Sequence, residues 1–507
     1  MKNVMISVVV AALFTPLISS AAGPIASITK QWSYTHSPAN SGGQTAEISA
    51  YDSITNTIWV AGIVGVDVLN ATNGSLVQHI DTTGFGSINS VAIKNGVAAF
   101  AIEASVKTNP GVVKLYDTSS RTLVSGINSI TVGALPDMIT FTPDGSRLLV
   151  ANEGTPSTYG TRIGTTIPRT YNPAAVDPVG SVSIIDMTTR TVSATPGFVG
   201  VTQTGSNIRT NTGMNFEPEY ITVNASGTKA YVTLQEANAV GVLDLNTNTF
   251  EKVVGLGVKD FSLPGNTIDT NNNSIISFGS ANVKGLYMPD GIAAYESGGN
   301  TYLVMANEGD FREDDGDRSV AGAAASGLGA TGDLAALRVS NTDSSPGSLF
   351  AAGARSFSIR DADGNIVFDS GDFLDKKAAE LGIYDDARSR DKGVEPEGVE
   401  LFTVGGRTIA AIGLERTLKS AVALYDITNP GSASFLDMIV TDGDLAPEGL
   451  EAFEINGQSY LAIANESSNT TTLYSIAQVP EPETYALFLA GLGLVGFGAR
   501  RRQSQVM

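Results

Sequence analysis

An all-β architecture built from one repeated hairpin is the fold class that this sequence predicts, and three observations predict it. Five times an acidic residue placed directly after a proline opens a short alternating apolar run, and a second such run closes on Glu. The pairs are Asp137 and Glu153, Glu219 and Glu236, Asp290 and Glu308, Glu397 and Glu415, and Glu448 and Glu466. Between the two runs lies a turn, as at Ser226-Gly227, which is the signature of a hairpin. Finally, 55 glycines and only 16% charged residues among 507 suit many short strands and tight turns better than long helices.

The start of the first strand and the end of the second are neighbours in an antiparallel pair. Each repeat therefore carries two carboxylates to one edge of its sheet. Degenerate copies stand upstream, at 47–51 with 57–61 and at 89–93 with 97–103, which brings the number of copies to seven. Two more strands follow in most copies, such as 239–244 and 250–256 after Glu236, or 111–117 and 122–127 after Glu103. Four strands repeated seven times describe a seven-bladed β-propeller with four-stranded blades. The last copy supplies only three strands, so the stretch 26–34 is expected to complete that blade and close the ring, leaving no long open edge.

Long irregular stretches fall at 155–179, 199–216, 257–288, 309–349 and 373–394. Each lies between the second and third strands of a blade or between blades, so all emerge on the side that carries the paired carboxylates. Loops on a rigid scaffold are where function concentrates. Within them, the run 321–332, rich in Gly and Ala, reads as a flexible linker. Asp314, Asp315 and Asp317 read as a solvated charged loop or a calcium ligand set, and Asp361 to Asn365 as a hairpin turn.

Fifty-one acidic residues against 31 basic ones give a net charge of −20. Nucleic acid is disfavoured as a partner, because binding phosphates requires basic patches, and cations become the natural counter-partners. With no cysteine and only His36 and His79, thiolate or imidazole zinc sites and Ser-His-Asp hydrolysis lack their residues. Any metal must be held by oxygen.

The two ends read as processing signals. Lys2, an apolar stretch and Ser20-Ala21-Ala22 form a secretory signal peptide over 1–22, a substrate for signal peptidase. At the other end, Pro480-Glu481-Pro482 precedes a short apolar stretch over 484–497 and then Arg500-Arg501-Arg502. A polar motif, a short transmembrane helix and a basic tail make a stop-transfer layout. It resembles the PEP-CTERM sorting signal of Gram-negative bacteria. That resemblance implies recognition by an exosortase, a transient membrane anchor, and delivery to the cell surface or extracellular matrix. The expected organisation is thus 1–22 signal peptide, 23–478 propeller and 479–507 sorting segment.

The middle of the chain also resembles a family. Pro289-Asp-Gly-Ile292, Ala306-Asn-Glu-Gly-Asp-Phe-Arg-Glu313, the run 386–398 and Gly413-Leu-Glu-Arg416 are similar to the choice-of-anchor I domain of exported β-propellers. Some members carry an alkaline-phosphatase label, and Glu395-Pro-Glu-Gly398 is similar to a motif of phytase-like esterase propellers. The resemblance implies phosphoester chemistry, although one fold hosts many functions.

A ring of carboxylates repels itself unless it is protonated or holds a cation. Calcium suits such a ring because it takes six to eight oxygen ligands in flexible geometry; magnesium and manganese are the alternatives. The candidate ligands are Asp290, Glu308, Asp310, Glu397, Glu448 and Glu466. For a phosphoesterase the candidate catalytic groups are Glu308, Arg312, Glu397, Glu415 and Arg416, with Arg388, Arg390 and Lys392 to hold substrate. Alternatively the same face belongs to a non-catalytic matrix protein that binds polysaccharide or other surface proteins, with cations only ordering its loops; a purely structural reading has the acids accept hydrogen bonds from loop amides or pair with those arginines. The site is expected off-centre, around Glu308, Glu397, Glu415 and Glu448.

Overall fold

The computed structural model describes residues 24–36, 43–312 and 316–479. The expected signal peptide, the sorting motif Pro480, Glu481 and Pro482, the expected C-terminal membrane helix, and Asp314 with Asp315 lie outside the described residues. Among the described residues no helix is long and apolar enough to cross a membrane.

Seven sheets of four or five strands follow one another along the chain, each opened by its own hairpin. Their first strands are Ser49–Asp52, Ile88–Lys94, Pro136–Phe141, Ile221–Val223, Ile292–Ser297, Pro396–Val404 and Pro447–Ile455. Each of these touches the first strand of the next sheet, and the seventh touches the first, so the contacts form a closed cycle. All seven line one cavity of about 360 Å³. The last sheet is completed by Ile25–Thr35, which runs antiparallel to Thr470–Gln478 as expected.

Burial explains the strand sequences. Second strands such as Thr57–Gly62 and Arg407–Leu414 lie between two neighbouring sheets and are buried almost throughout, so they read as continuous apolar runs. Outer strands such as Leu76–Asp81 are mostly half-buried or exposed. The core is divided into layers between consecutive sheets. Trp59, Val68, Phe100 and Tyr116 fill the layer between the first and second sheets, while Ile58, Val60, Leu69, Ala462 and Leu473 fill that between the seventh and the first. Each large side chain so buried contributes about 1.5–3 kcal/mol.

Three local expectations need correction. In the second sheet the outer strand is Ser129–Ala134, with only Thr122–Leu123 ordered as strand in the segment expected to fill that place. The fourth sheet gains a fifth strand, Gln203–Ser206, from an expected loop; it pairs in parallel with Thr249–Leu256. The run 321–332 is not a free linker: Ala321 and Leu328 are buried in an apolar cluster with Phe261, Leu337 and Val339. That cluster gives the insertions around the fifth sheet a core of their own.

Candidate functional site

The acids at the strand starts owe their position to a repeated backbone device. In the third, fifth, sixth and seventh sheets the residue before the proline is left-handed: Leu135 at φ +47°, Met288 at +43°, Glu395 at +51° and Ala446 at +56°. In the third, sixth and seventh sheets the first strand is also irregular just after its proline, where the acid sits unpaired. Such a bulge re-aims a side chain that a regular strand would direct elsewhere. The second acid is tied to the same turn, since the N–H groups of Glu153, Glu415 and Glu466 donate to the carbonyls of Leu135, Glu395 and Ala446 at 2.8–2.9 Å.

Two overlapping groups of carboxylates result. Ligand atoms of Asp290, Glu308 and Glu397 lie within 4.8 Å of one another, and so do those of Glu308, Glu395 and Glu415. The second group is compensated by basic side chains. Lys392 Nζ stands 2.5 Å from Glu308 Oε1 and 3.0 Å from Glu395 Oε2, Arg388 Nε donates to Glu395 Oε1 at 2.6 Å, and Arg416 Nη2 reaches Glu415 at 2.6 Å. The first group is compensated less. Glu308 Oε2 accepts from Gln235 Nε2 at 2.8 Å, while Glu397 Oε2 is buried without a hydrogen-bond partner.

Electrostatics follow this division. Burial, then Glu415, Glu308 and Glu448, holds the Glu397 carboxyl well above the usual carboxylate range. Burial and the Glu308 charge do the same for Asp290, with Lys392 opposing. Glu415 is pushed up to about 8 by burial together with Glu308 and Glu395, against Arg416 and Lys392. Further round the cycle, burial raises Glu448 strongly with help from Glu47 and Glu466, and takes Glu47 and Asp137 to about 7. These carboxylates sense one another across sheets, as expected of a convergent ring.

The remaining sequence candidates are distributed unevenly. Glu448 and Glu466 lie outside both tight groups, although Glu448 acts on Glu397 through space. Asp310 is 3.9 Å from Lys392 and accepts from the Phe311 N–H. Arg312, expected beside the acids, turns its guanidinium into the insertions. There it covers the Tyr171 ring at 3.8 Å and donates to the Thr212 carbonyl at 3.2 Å. Arg390 makes no ion pair among the described residues, and its Nε is buried without a partner. Asp317 is fully buried against Arg209 at 2.8 Å, not solvated.

Two residues went unrecognised as site members. Glu395 is visible in the sequence only as the first acid of Glu395-Pro396-Glu397, a pattern shared with Glu217-Pro218-Glu219. Gln235 is the other. The register Ile221 to Val232 matches Val399 to Ile412, so Gln235, and not Glu236, holds the place that Glu415 holds in its sheet.

Consecutive antiparallel sheets bringing loop-side carboxylates together define an all-β scaffold with an acidic centre. A family model for the choice-of-anchor I domain matches residues 47–430, and one for the PEP-CTERM protein-sorting motif matches residues 478–502. The chain belongs to the choice-of-anchor I family. Its sorting motif marks it as an exported, surface-targeted protein of the Gram-negative type, processed by an exosortase. No curated protein matches it. Among solved structures it is similar to hydrazine synthase of Kuenenia stuttgartiensis, at 11% identity over 85% of this chain and 95% of that one, with a TM-score of 0.48.

Proposed function

We propose that the chain is a seven-bladed β-propeller that binds a divalent cation between Asp290, Glu308 and Glu397 at the cell surface. The observation that carries this reading is the half-buried Glu397 side chain, whose Oε2 is buried without a hydrogen-bond partner and whose carboxylate stands within 4.8 Å of two other acids. A bound cation offsets the repulsion that otherwise requires these groups to be protonated. Calcium fits the all-oxygen set best, with magnesium or manganese as substitutes.

The substrate class favoured for this site is a phosphoester. The ion supplies charge for a phosphoryl oxygen, and Arg416, 43% exposed at the rim, is the basic group best placed to meet the rest of the phosphate. A non-catalytic matrix role, with polysaccharide or another surface protein as partner, is the second reading. It is favoured by the engagement of Lys392, Arg388 and Arg416 with acids of the site itself.

Assaying the purified full chain on a phosphomonoester and a phosphodiester, with calcium, manganese or chelator, separates the two. Metal-dependent turnover lost in Glu397→Gln supports hydrolysis. Calcium binding lost in Glu397→Gln without any turnover supports the matrix role. Calcium binding unchanged by that substitution removes the site altogether.

A further inference from the structure

Residues of the insertion 257–288, between the fourth and fifth sheets, and of the insertion 309–349 together line a cavity of about 470 Å³. That lies inside the range of about 300–1,000 Å³ in which small-molecule sites fall. The cavity shares no residue with either acidic group of the centre.

Its frame is tied down before any ligand arrives. Asp269, 3% exposed, accepts from the Asn271 N–H at 3.1 Å through one carboxylate oxygen and from the Ser277 N–H at 3.0 Å through the other, which closes the loop between them. Below that loop Ile268 and Gly279 exchange two backbone hydrogen bonds at 3.0 Å. The Asp269 carbonyl accepts from the buried Arg355 Nη1 at 3.1 Å, and the loop tip is held where the Ser274 N–H meets Asp386 Oδ2 at 2.7 Å. Thr270 Oγ1 donates to the Asp333 carbonyl at 2.8 Å and so joins the two insertions across the cavity. A wall fixed in this way spares a ligand the cost of ordering it.

The lining decides the ligand class. No Lys or Arg is part of it, so an anion has nothing to pair with. Its two carboxylates do not make a cation shell either, because both oxygens of Asp269 are taken by N–H groups and Asp333 stands alone. What remains is neutral and polar. The Asn271 and Asn282 amides and the Ser280 hydroxyl make no hydrogen bond among the described residues, and each can both donate and accept. A sugar hydroxyl is likewise donor and acceptor at once, and the Asp333 carboxylate adds a further acceptor. Ile275, 66% exposed, and Leu334 supply apolar surface for the C–H face of a ring.

We propose that this pocket is a carbohydrate-binding site for a short, neutral, hydroxyl-rich stretch of glycan, with Asn271, Ser280, Asn282 and Asp333 as its hydrogen-bonding groups. This rests on the second reading above, the surface-binding role, and gives that role a place and a partner chemistry away from the acidic centre. The polar groups set orientation, and the two apolar side chains discriminate the ring face from its edge.

The purified full chain, applied with chelator to a microarray of neutral and acidic glycans, tests this. Wild type is expected to retain neutral glycans, the double variant Asn271→Ala with Asn282→Ala to bind them about tenfold more weakly, and Ser280→Trp, which fills the cavity, to lose them. Glu397→Gln is expected to bind as wild type does. Glycan binding unchanged in the double variant and in Ser280→Trp would leave the surface-binding reading standing and overturn this pocket as its site. Retention of acidic glycans alone, binding that needs a divalent ion, or no glycan retained at all would also overturn the inference. The substituted residues are exposed or half-exposed, and a melting temperature equal to that of wild type shows that a loss of binding is not a loss of fold.

Discussion

Gly398 packs against the backbone of Glu448 so closely that a Cβ built on it would stand 2.3 Å from the Glu448 carbonyl oxygen. The same approach recurs between Gly291 and Glu397 and between Gly449 and Glu47. A glycine one residue after each acid thus lets neighbouring first strands come into backbone contact, which draws the acids of the fifth, sixth, seventh and first sheets together.

Gly398→Ala is therefore expected to destabilise the chain by about 1–3 kcal/mol, the usual cost of overpacking, seen as a lower urea midpoint. Gly84→Ala is the control. Nothing lies within 4 Å of its added Cβ, and the midpoint should stay within about 0.5 kcal/mol. Equal midpoints for the two variants would show that the inner strands are free to separate.

Lys392→Met removes the ammonium shared by Glu308 and Glu395. Breaking a buried ion pair from one side costs about 3–5 kcal/mol, and chemical denaturation should register a loss of that order. Adding Glu395→Gln should restore part of it. Additive losses in that double-mutant cycle would mean that the two residues do not interact.

Between the ordinary 4.5 and about 8 for Glu415, 4.5 and about 7 for Glu47, and 3.8 and about 7 for Asp137, the folded chain binds more protons than the unfolded one. Stability from these groups is greatest below that window and falls as pH rises through it. In chelator the melting temperature is expected to drop from about pH 5 to about pH 8, and calcium to flatten the drop by replacing protons. A melting temperature that climbs across this range in chelator would contradict the assignment.

The chain's two histidines both meet Asp67, His36 Nδ1 at 2.7 Å and His79 Nδ1 at 2.6 Å, while His36 Nε2 reaches Thr471 at 2.8 Å. His36 directly follows the strand that closes the cycle. Burial pushes the Asp67 carboxyl up, but the hydrogen bonds from both histidines outweigh it and hold it below the usual range. Its contribution is lost as pH falls through that depressed value. Asp67→Ala should cost about 1–3 kcal/mol at neutral pH and speed amide exchange in Ile25–Thr35, measured by mass spectrometry. Unchanged exchange there would show that the seam is held by the strand pairing alone.

Much of the scaffold was legible because hairpins are local. The alternation around Ser226-Gly227 and the proline before each acid report register directly, and the partner of Pro447 is Asn465, next to Glu466, as the pattern required. The same locality misled at Glu236, where counting to the nearest Glu passed over Gln235, the residue that the ladder puts in place. Arg312 misled for a different reason. Its neighbours in sequence are acidic, yet Tyr159 and Tyr171 from another insertion capture its guanidinium.

The sequence by itself determined the all-β class, the recurring acid at each strand start and the side of the sheets on which the insertions lie. These follow from period-two patterning and turn chemistry, which act over a few residues. Only the tertiary structure decided which carboxylates are neutralised. Gln235 and Glu308 follow the second strands of the fourth and fifth sheets while Lys392 and Glu395 precede the sixth, and the charge each one feels depends on distances across the cycle that no local pattern encodes.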